Sequence, residues 1–88
     1  EEERLSLYRI LQQCINIIAT TRSIEFLHVH LIKEKKLSLH FEHDSSFKDF
    51  SYRFLDTRYR DLTTRLDYYS AVIREEKGKV EVDLDVSS

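Results

Sequence analysis

Apolar residues recur along the second half of the chain at alternating spacings of three and four, which is typical of one face of an amphipathic helix. Three acidic residues in the same stretch each precede an arginine by four positions, an order that stabilises a helix. The pattern therefore predicts a long helix over Ser46–Lys77. Its apolar seam consists of Tyr52, Leu55, Tyr59, Leu62, Leu66, Tyr69 and Ile73.

Both ends of this predicted helix carry capping residues. Ser46 is the expected N-cap, because Asp49 then falls at the third helical position and completes a capping box. Gly78 is the only glycine in the chain and stands where a left-handed C-terminal cap belongs. An alternative is a break between Phe50 and Tyr52 that divides the stretch into a short turn and a main helix.

A first helix is predicted over residues 2–22, and its apolar face is unusually wide. Polar residues occupy one narrow stripe, whereas Leu11, Ile15 and Ile18 belong to an apolar arc that covers over half of the circumference. A helix of this kind needs two apolar neighbours. These are either the sheet and the long helix of the same chain, or one of them is a second copy of this helix.

From Ile24 the period changes to two, and the alternation continues to Ile32 and again from Leu37 to His43. This predicts a hairpin whose first strand is central or covered on both faces, because apolar residues point both ways. A turn at Glu34 and Lys35 places Ile32 opposite Leu37. The same register places His28 opposite Phe41, His30 opposite Leu39 and Phe26 opposite His43, all on one surface.

The chain ends in a clean alternation of valine or leucine with acidic residues over Val80–Val86. Three carboxylates along one face of a strand discourage pairing with another sheet, so an edge position is expected. The predicted fold is a single α+β domain over residues 1–88, with a three-stranded, mainly antiparallel sheet packed by two long helices. The element order is α-β-β-α-β.

Composition removes several functional classes. The formal net charge of −2 supplies no overall field that attracts nucleic acid or an anionic membrane. One cysteine cannot form an internal disulfide, and no long apolar run resembles a membrane span or a signal sequence. These two features predict an intracellular location, in the cytoplasm or nucleus. Because the chain begins at Glu1 and contains no methionine, we also expect it to be a piece of a longer protein.

The sequence offers no catalytic constellation, and we predict that the chain is not an enzyme and needs no cofactor. Cys14 lies in the apolar arc of the first helix with no histidine nearby in the sequence, which predicts a buried, inert thiol. A single glycine leaves no phosphate-binding loop.

Two alternatives use other residue types. His28 and His30 lie on one side of a strand within reach of His43, and three imidazoles would suit zinc. The more ordinary interpretation is that they are strand histidines with local partners, and no metal ligand is assigned. The arginines of the long helix form the basis of a nucleic-acid hypothesis, but six acidic residues nearly offset its seven basic residues, five arginines and two lysines.

The preferred hypothesis is a non-enzymatic protein–protein interaction or dimerisation module that binds through apolar helical faces. Four of the five tyrosines lie in the predicted long helix, and tyrosine is enriched in protein interfaces. The seams resemble those of coiled coils, and the partner is expected to be another protein or, as a homodimer, a second copy. The predicted partner-binding residues are Leu11, Ile15, Ile18, Tyr59, Leu62, Leu66 and Tyr69.

Overall fold

A computed structural model describes residues 2–21, 24–45 and 49–86. Within these ranges the chain forms one sheet of four antiparallel strands in the order β1-β2-β4-β3. This confirms the α+β class, but the prediction of three strands and two long helices is wrong. The elements are α1 (Glu2–Ala19), β1 (Leu27–Lys33), β2 (Leu37–His43), α2 (Phe50–Phe54), a 3-10 helix (Thr57–Tyr59), α3 (Arg60–Tyr68), β3 (Val72–Glu76) and β4 (Lys79–Leu84).

The predicted long helix is interrupted first at Asp56. This residue is extended, with φ −68° and ψ 134°, and its carboxylate accepts a hydrogen bond from the backbone N–H of Arg58 at 2.9 Å. Asp56 therefore works as an N-cap that starts a new helical segment. The predicted cap at Ser46 and the adjoining residues 47 and 48 lie outside the described residues.

The second interruption is a Schellman motif after α3. The N–H of Ala71 donates to the carbonyl of Leu66 at 2.9 Å, and the N–H of Ser70 donates to that of Asp67 at 3.0 Å. Ser70 has φ 50°, the left-handed conformation that usually belongs to glycine at this position. The left-handed residue that follows the helix is a serine and not a glycine, which is why the end of the helix was not visible in the sequence.

The segment after Ser70 is a strand. Gly78 has positive φ as expected, at 76°, but it lies in the tight turn between β3 and β4 and not at a helix end. A Cβ atom at this position would stand 3.2 Å from the carbonyl oxygen of His43, whose N–H donates to the Gly78 carbonyl at 3.0 Å. The glycine therefore permits both the turn and the close approach of β2.

The register of the first hairpin is one residue away from the predicted one. Lys33 pairs with Leu37, and the connection is the three-residue segment 34–36 in place of a two-residue turn. In the observed register His28 lies opposite Glu42 and Leu27 lies opposite His43. Because side chains alternate between faces, this shift moves His43 to the face opposite His28 and His30.

The core lies between one face of the sheet and the helices. Phe41, Val80 and Val82 of the central strands are fully buried against residues from all three α-helices. Contrary to the prediction, β1 is an edge strand and β4 is central. The carboxylates of Glu81 and Asp83 are compatible with this position because Arg74 of β3 donates to both, at 3.2 and 2.6 Å.

Candidate functional site

The structure places most of the predicted partner-binding residues inside the monomer. Ile18, Leu62, Leu66 and Tyr69 are at most 4% exposed and belong to the core. A partner cannot contact side chains that the fold itself has buried. The remaining three are half-buried and pack against the rim of the core: Leu11, Ile15 and Tyr59.

The outer side of α1 keeps some apolar surface. Leu5 and Tyr8 are exposed by more than half of their surface, and Ile15 follows on the same side of the helix. An open groove of roughly 690 Å³ lies between the second half of α1 and residues 58–62. Its walls include Tyr59 but also Arg58, Arg60 and Asp61, so the groove is of mixed polarity.

The edge strand β1 carries a second apolar surface. On the side that faces the helices, Leu31 is 56% exposed, whereas Leu27 and Val29 are half-buried and pack against the core. On the opposite face Phe26 and Ile32 are 46% and 41% exposed. From Leu27 to Ile32 the strand contains no Lys, Arg, Asp or Glu.

Every second residue of β1 directs its backbone N–H and C=O groups away from the sheet. The hydrogen bond from the His43 N–H to the Gly78 carbonyl shows that the odd-numbered residues of β2 direct their backbone groups toward β4. The even-numbered residues of β2 therefore hydrogen-bond to β1, since the backbone groups of successive residues point to opposite sides of a strand. By the register, Val29 and Leu31 direct their N–H and C=O groups outward, where the described part of the chain supplies no neighbouring strand.

The start of β1 is held by Asp44. One of its carboxylate oxygens accepts from the backbone N–H groups of Glu25 at 2.9 Å and Phe26 at 3.4 Å. These hydrogen bonds favour the ionised form and lower the pKa of Asp44. The residues that lead into the strand are thereby fixed, while the Glu25 side chain stays exposed.

The open face of the sheet contains a cluster of potential metal ligands. His28, His30 and Glu42 each offer one ligand atom, and these atoms lie within 4.8 Å of one another. His30 Nε2 is 3.6 Å from Glu42 Oε1. The ring of His28 is in contact with that of Phe26, with centroids 5.1 Å apart, which restricts its orientation.

One of the three histidines considered as zinc ligands, His43, does not belong to this cluster. His43 is buried on the core face, where its ring packs edge-on against Phe50 and its Nδ1 accepts from the N–H of Ser45 at 3.2 Å. Glu42 takes its place on the open face, and a three-residue turn is the feature that would have identified it. The fourth histidine, His40, lies 4.0 Å from a carboxylate oxygen of Glu81.

The arginines of the predicted helix are divided among several elements. Arg58 and Arg65 bond to Asp56 and Asp61, and Arg74 belongs to β3 and bonds to β4. The continuous basic face on which the nucleic-acid hypothesis depended is therefore not formed by one helix.

Cys14 is fully buried, and burial raises the pKa of its thiol to about 12. Such a thiol carries almost no thiolate at neutral pH, which is the form that a nucleophile or metal ligand requires. Among the described helices, none is long and apolar enough to span a lipid bilayer.

Comparisons with family models, with curated proteins and with solved structures found no match to this chain.

Proposed function

We propose that this chain is a non-enzymatic protein-interaction module that self-associates through the open edge of β1. The observation that carries the proposal is a seven-residue edge strand with outward backbone groups, exposed apolar side chains on both faces and no charged residue before Lys33. Edges of this kind pair readily with another strand unless charge, proline or a covering element prevents it.

The sequence of β1 supports a second copy of the chain as the partner. When two copies pair antiparallel with Val29 opposite Val29, Leu27 of one copy faces Leu31 of the other on the core side. This register pairs outward-pointing residues with outward-pointing residues, as an antiparallel ladder requires. The exposed part of Leu31 would then be buried.

The flanking residues fit the same register. Ile32 faces Phe26 on the open side, so the two exposed apolar residues of that face cover each other. Lys33 faces the exposed Glu25, which brings opposite charges together at both ends of the interface. A two-fold axis midway between the two Val29 residues is thus compatible with apolar, backbone and charge pairing, and the product would be a continuous eight-stranded sheet.

The test is the solution mass of the protein by light scattering across a hundredfold dilution, together with two variants. Leu31→Lys places a charge on the β1 edge, and Val72→Lys places the same charge on β3, where Val72 is comparably exposed at 47%. We expect a concentration-dependent dimer for the wild type and Val72→Lys, and a monomer for Leu31→Lys. A wild-type monomer at every concentration would overturn the proposal.

The helical face predicted from the sequence is the competing surface. Tyr8→Glu changes the exposed side of α1 and leaves the sheet edges untouched. If Tyr8→Glu dissociates the dimer and Leu31→Lys does not, the interface is helical and the edge proposal fails. The intracellular location stays part of the proposal, and the free thiol of Cys14 supports it, since disulfides are characteristic of oxidising compartments.

A further inference from the structure

The geometry of the open face points to a second site, and we infer that His28, His30 and Glu42 bind one zinc-like divalent ion. All three ligands come from a single chain, although the dimer register proposed above would place His28 of each copy opposite His30 of the other. It consists of two imidazoles from β1 and one carboxylate from β2.

The fold brings these three side chains together by strand geometry. His28 and His30 are two residues apart on β1 and therefore project from the same face. Glu42 lies directly opposite His28 in the neighbouring strand. The arrangement follows from the register, so it requires no loop to fold around the ion.

The distances are close to those of a bound ion. Ligands at about 2.0–2.2 Å from a tetrahedral zinc lie about 3.4 Å from one another. The distance of 3.6 Å between His30 Nε2 and Glu42 Oε1 nearly meets this value, and all three ligand atoms lie within 4.8 Å. Small rotations of the exposed His30 and Glu42 side chains would close the remaining gap, while the contact with Phe26 orients the His28 ring.

The chemistry of the donors selects the class of ion. Two neutral imidazoles and a carboxylate match the nitrogen and oxygen ligands of zinc, whereas calcium and magnesium prefer oxygen alone. Three protein ligands leave one tetrahedral position for water or a further ligand. The side chains of His30 and Glu42 are 59% and 49% exposed, so the ion would exchange readily with solvent and with chelators.

His40 provides a matched control. It belongs to the same face and lies opposite His30 in β2, but its ligand atoms are not part of the cluster within 4.8 Å. It lies instead near Glu81. A His→Ala change at position 40 therefore removes an imidazole from the same surface without removing a proposed ligand.

The experiment is calorimetric titration of the apo protein with zinc sulfate, in parallel with magnesium chloride. We expect one zinc per chain and no saturable magnesium binding. His28→Ala and Glu42→Gln should each lower the zinc affinity by at least about tenfold, while His40→Ala keeps it within about threefold. Circular dichroism checks that each variant is folded. If His28→Ala does not fold, the more conservative Glu42→Gln still tests the site.

Thermal denaturation supplies an independent readout. Because the ion joins β1 to β2 only in the folded chain, saturating zinc should raise Tm by about 5 °C or more in the wild type and in His40→Ala. Less than stoichiometric zinc binding, or an equal loss of affinity in His40→Ala and His28→Ala, would overturn the site. The Leu31→Lys variant should bind zinc normally, so failure of the self-association proposal is distinguishable from failure of this one.

Discussion

The two edges of the sheet are built differently. The β1 edge is seven residues long and uncharged from Leu27 to Ile32, whereas β3 is five residues long and ends in Arg74-Glu75-Glu76. On the core side, Val29 of β1 and Ile73 of β3 are both half-buried against the core, but Leu31 of β1 is largely exposed. Shorter length and charged residues thus protect β3, and β1 is the more open edge.

Side-chain hydrogen bonds extend this difference. Glu75 of β3 accepts hydrogen bonds from the backbone N–H groups of Phe50 and Ser51 at 3.0 Å, so its carboxylate caps the start of α2. On the other face Arg74 bonds to two carboxylates of β4. Side chains that bind neighbouring elements in this way make an edge strand less available for pairing with another strand. β1 lacks charged side chains over most of its length.

The largest effect is expected from the core that supports both edges. Phe41 of β2 lies opposite Val29 of β1 and Val80 of β4, and its ring is fully buried. Phe41→Ala should lower the free energy of unfolding by about 3–5 kcal/mol, because it removes apolar contacts and leaves a cavity. Chemical denaturation measures the change, and Tyr52→Ala, at a side chain that is 78% exposed, should cost less than about 1 kcal/mol. Equal losses in the two variants would contradict the assignment of the core.

A smaller effect should follow from removing the tie between β3 and α2. Glu75→Ala removes the carboxylate that accepts hydrogen bonds from the N–H groups of Phe50 and Ser51, and should cost about 1–2 kcal/mol of stability, by analogy with the loss of an N-cap. Its neighbour Glu76 points to the open face, so Glu76→Ala should change the free energy of unfolding by less than about 0.5 kcal/mol. If Glu76→Ala were the more damaging change, the capping role of Glu75 would be wrong.

The smallest expected effect is on the pH dependence of stability, through Glu81 on the open face of the sheet. The hydrogen bond from Lys79 is the main cause that lowers the pKa of Glu81 below its ordinary 4.5. The ionised carboxylate therefore stabilises the folded state above about pH 4.5, and this contribution is lost as the pH falls through the lowered folded-state pKa. The urea midpoint of Glu81→Gln should accordingly fall less between pH 5 and pH 3 than that of the wild type. Identical pH dependence in both proteins would rule out this contribution.

The strands with strong alternation could be predicted from the sequence. β2 and β4 alternate buried and more exposed residues over nearly the segments expected, and their apolar members form the core face. In α1 the wide apolar arc was recognised, and its burial by the chain's own sheet and helices explains most of it. These features depend on side-chain period alone, which a sequence displays directly.

The errors occurred where one backbone conformation decided the outcome. The left-handed helix cap lies at Ser70 and not at Gly78, so α3 ends at Tyr68, nine residues before the predicted end at Lys77, and β3 was missed. A turn of three residues at 34–36 shifted the hairpin register, which exchanged His43 for Glu42 in the candidate metal site. Lys33–Lys36 is uniformly polar and contains no glycine, so its sequence did not specify the turn.

The most direct test of the β1 edge is amide hydrogen exchange, measured by NMR at low and high protein concentration. Self-pairing through β1 predicts that the outward amides of Val29 and Leu31 exchange more slowly as the concentration rises. Ile73 and Glu75 are the corresponding residues of β3, because the same alternation directs their amides away from β4. Their exchange rates should not change with concentration, since β3 lies outside the proposed interface. Exchange at Val29 and Leu31 that is independent of concentration, or slowing confined to Ile73 and Glu75, would contradict the account.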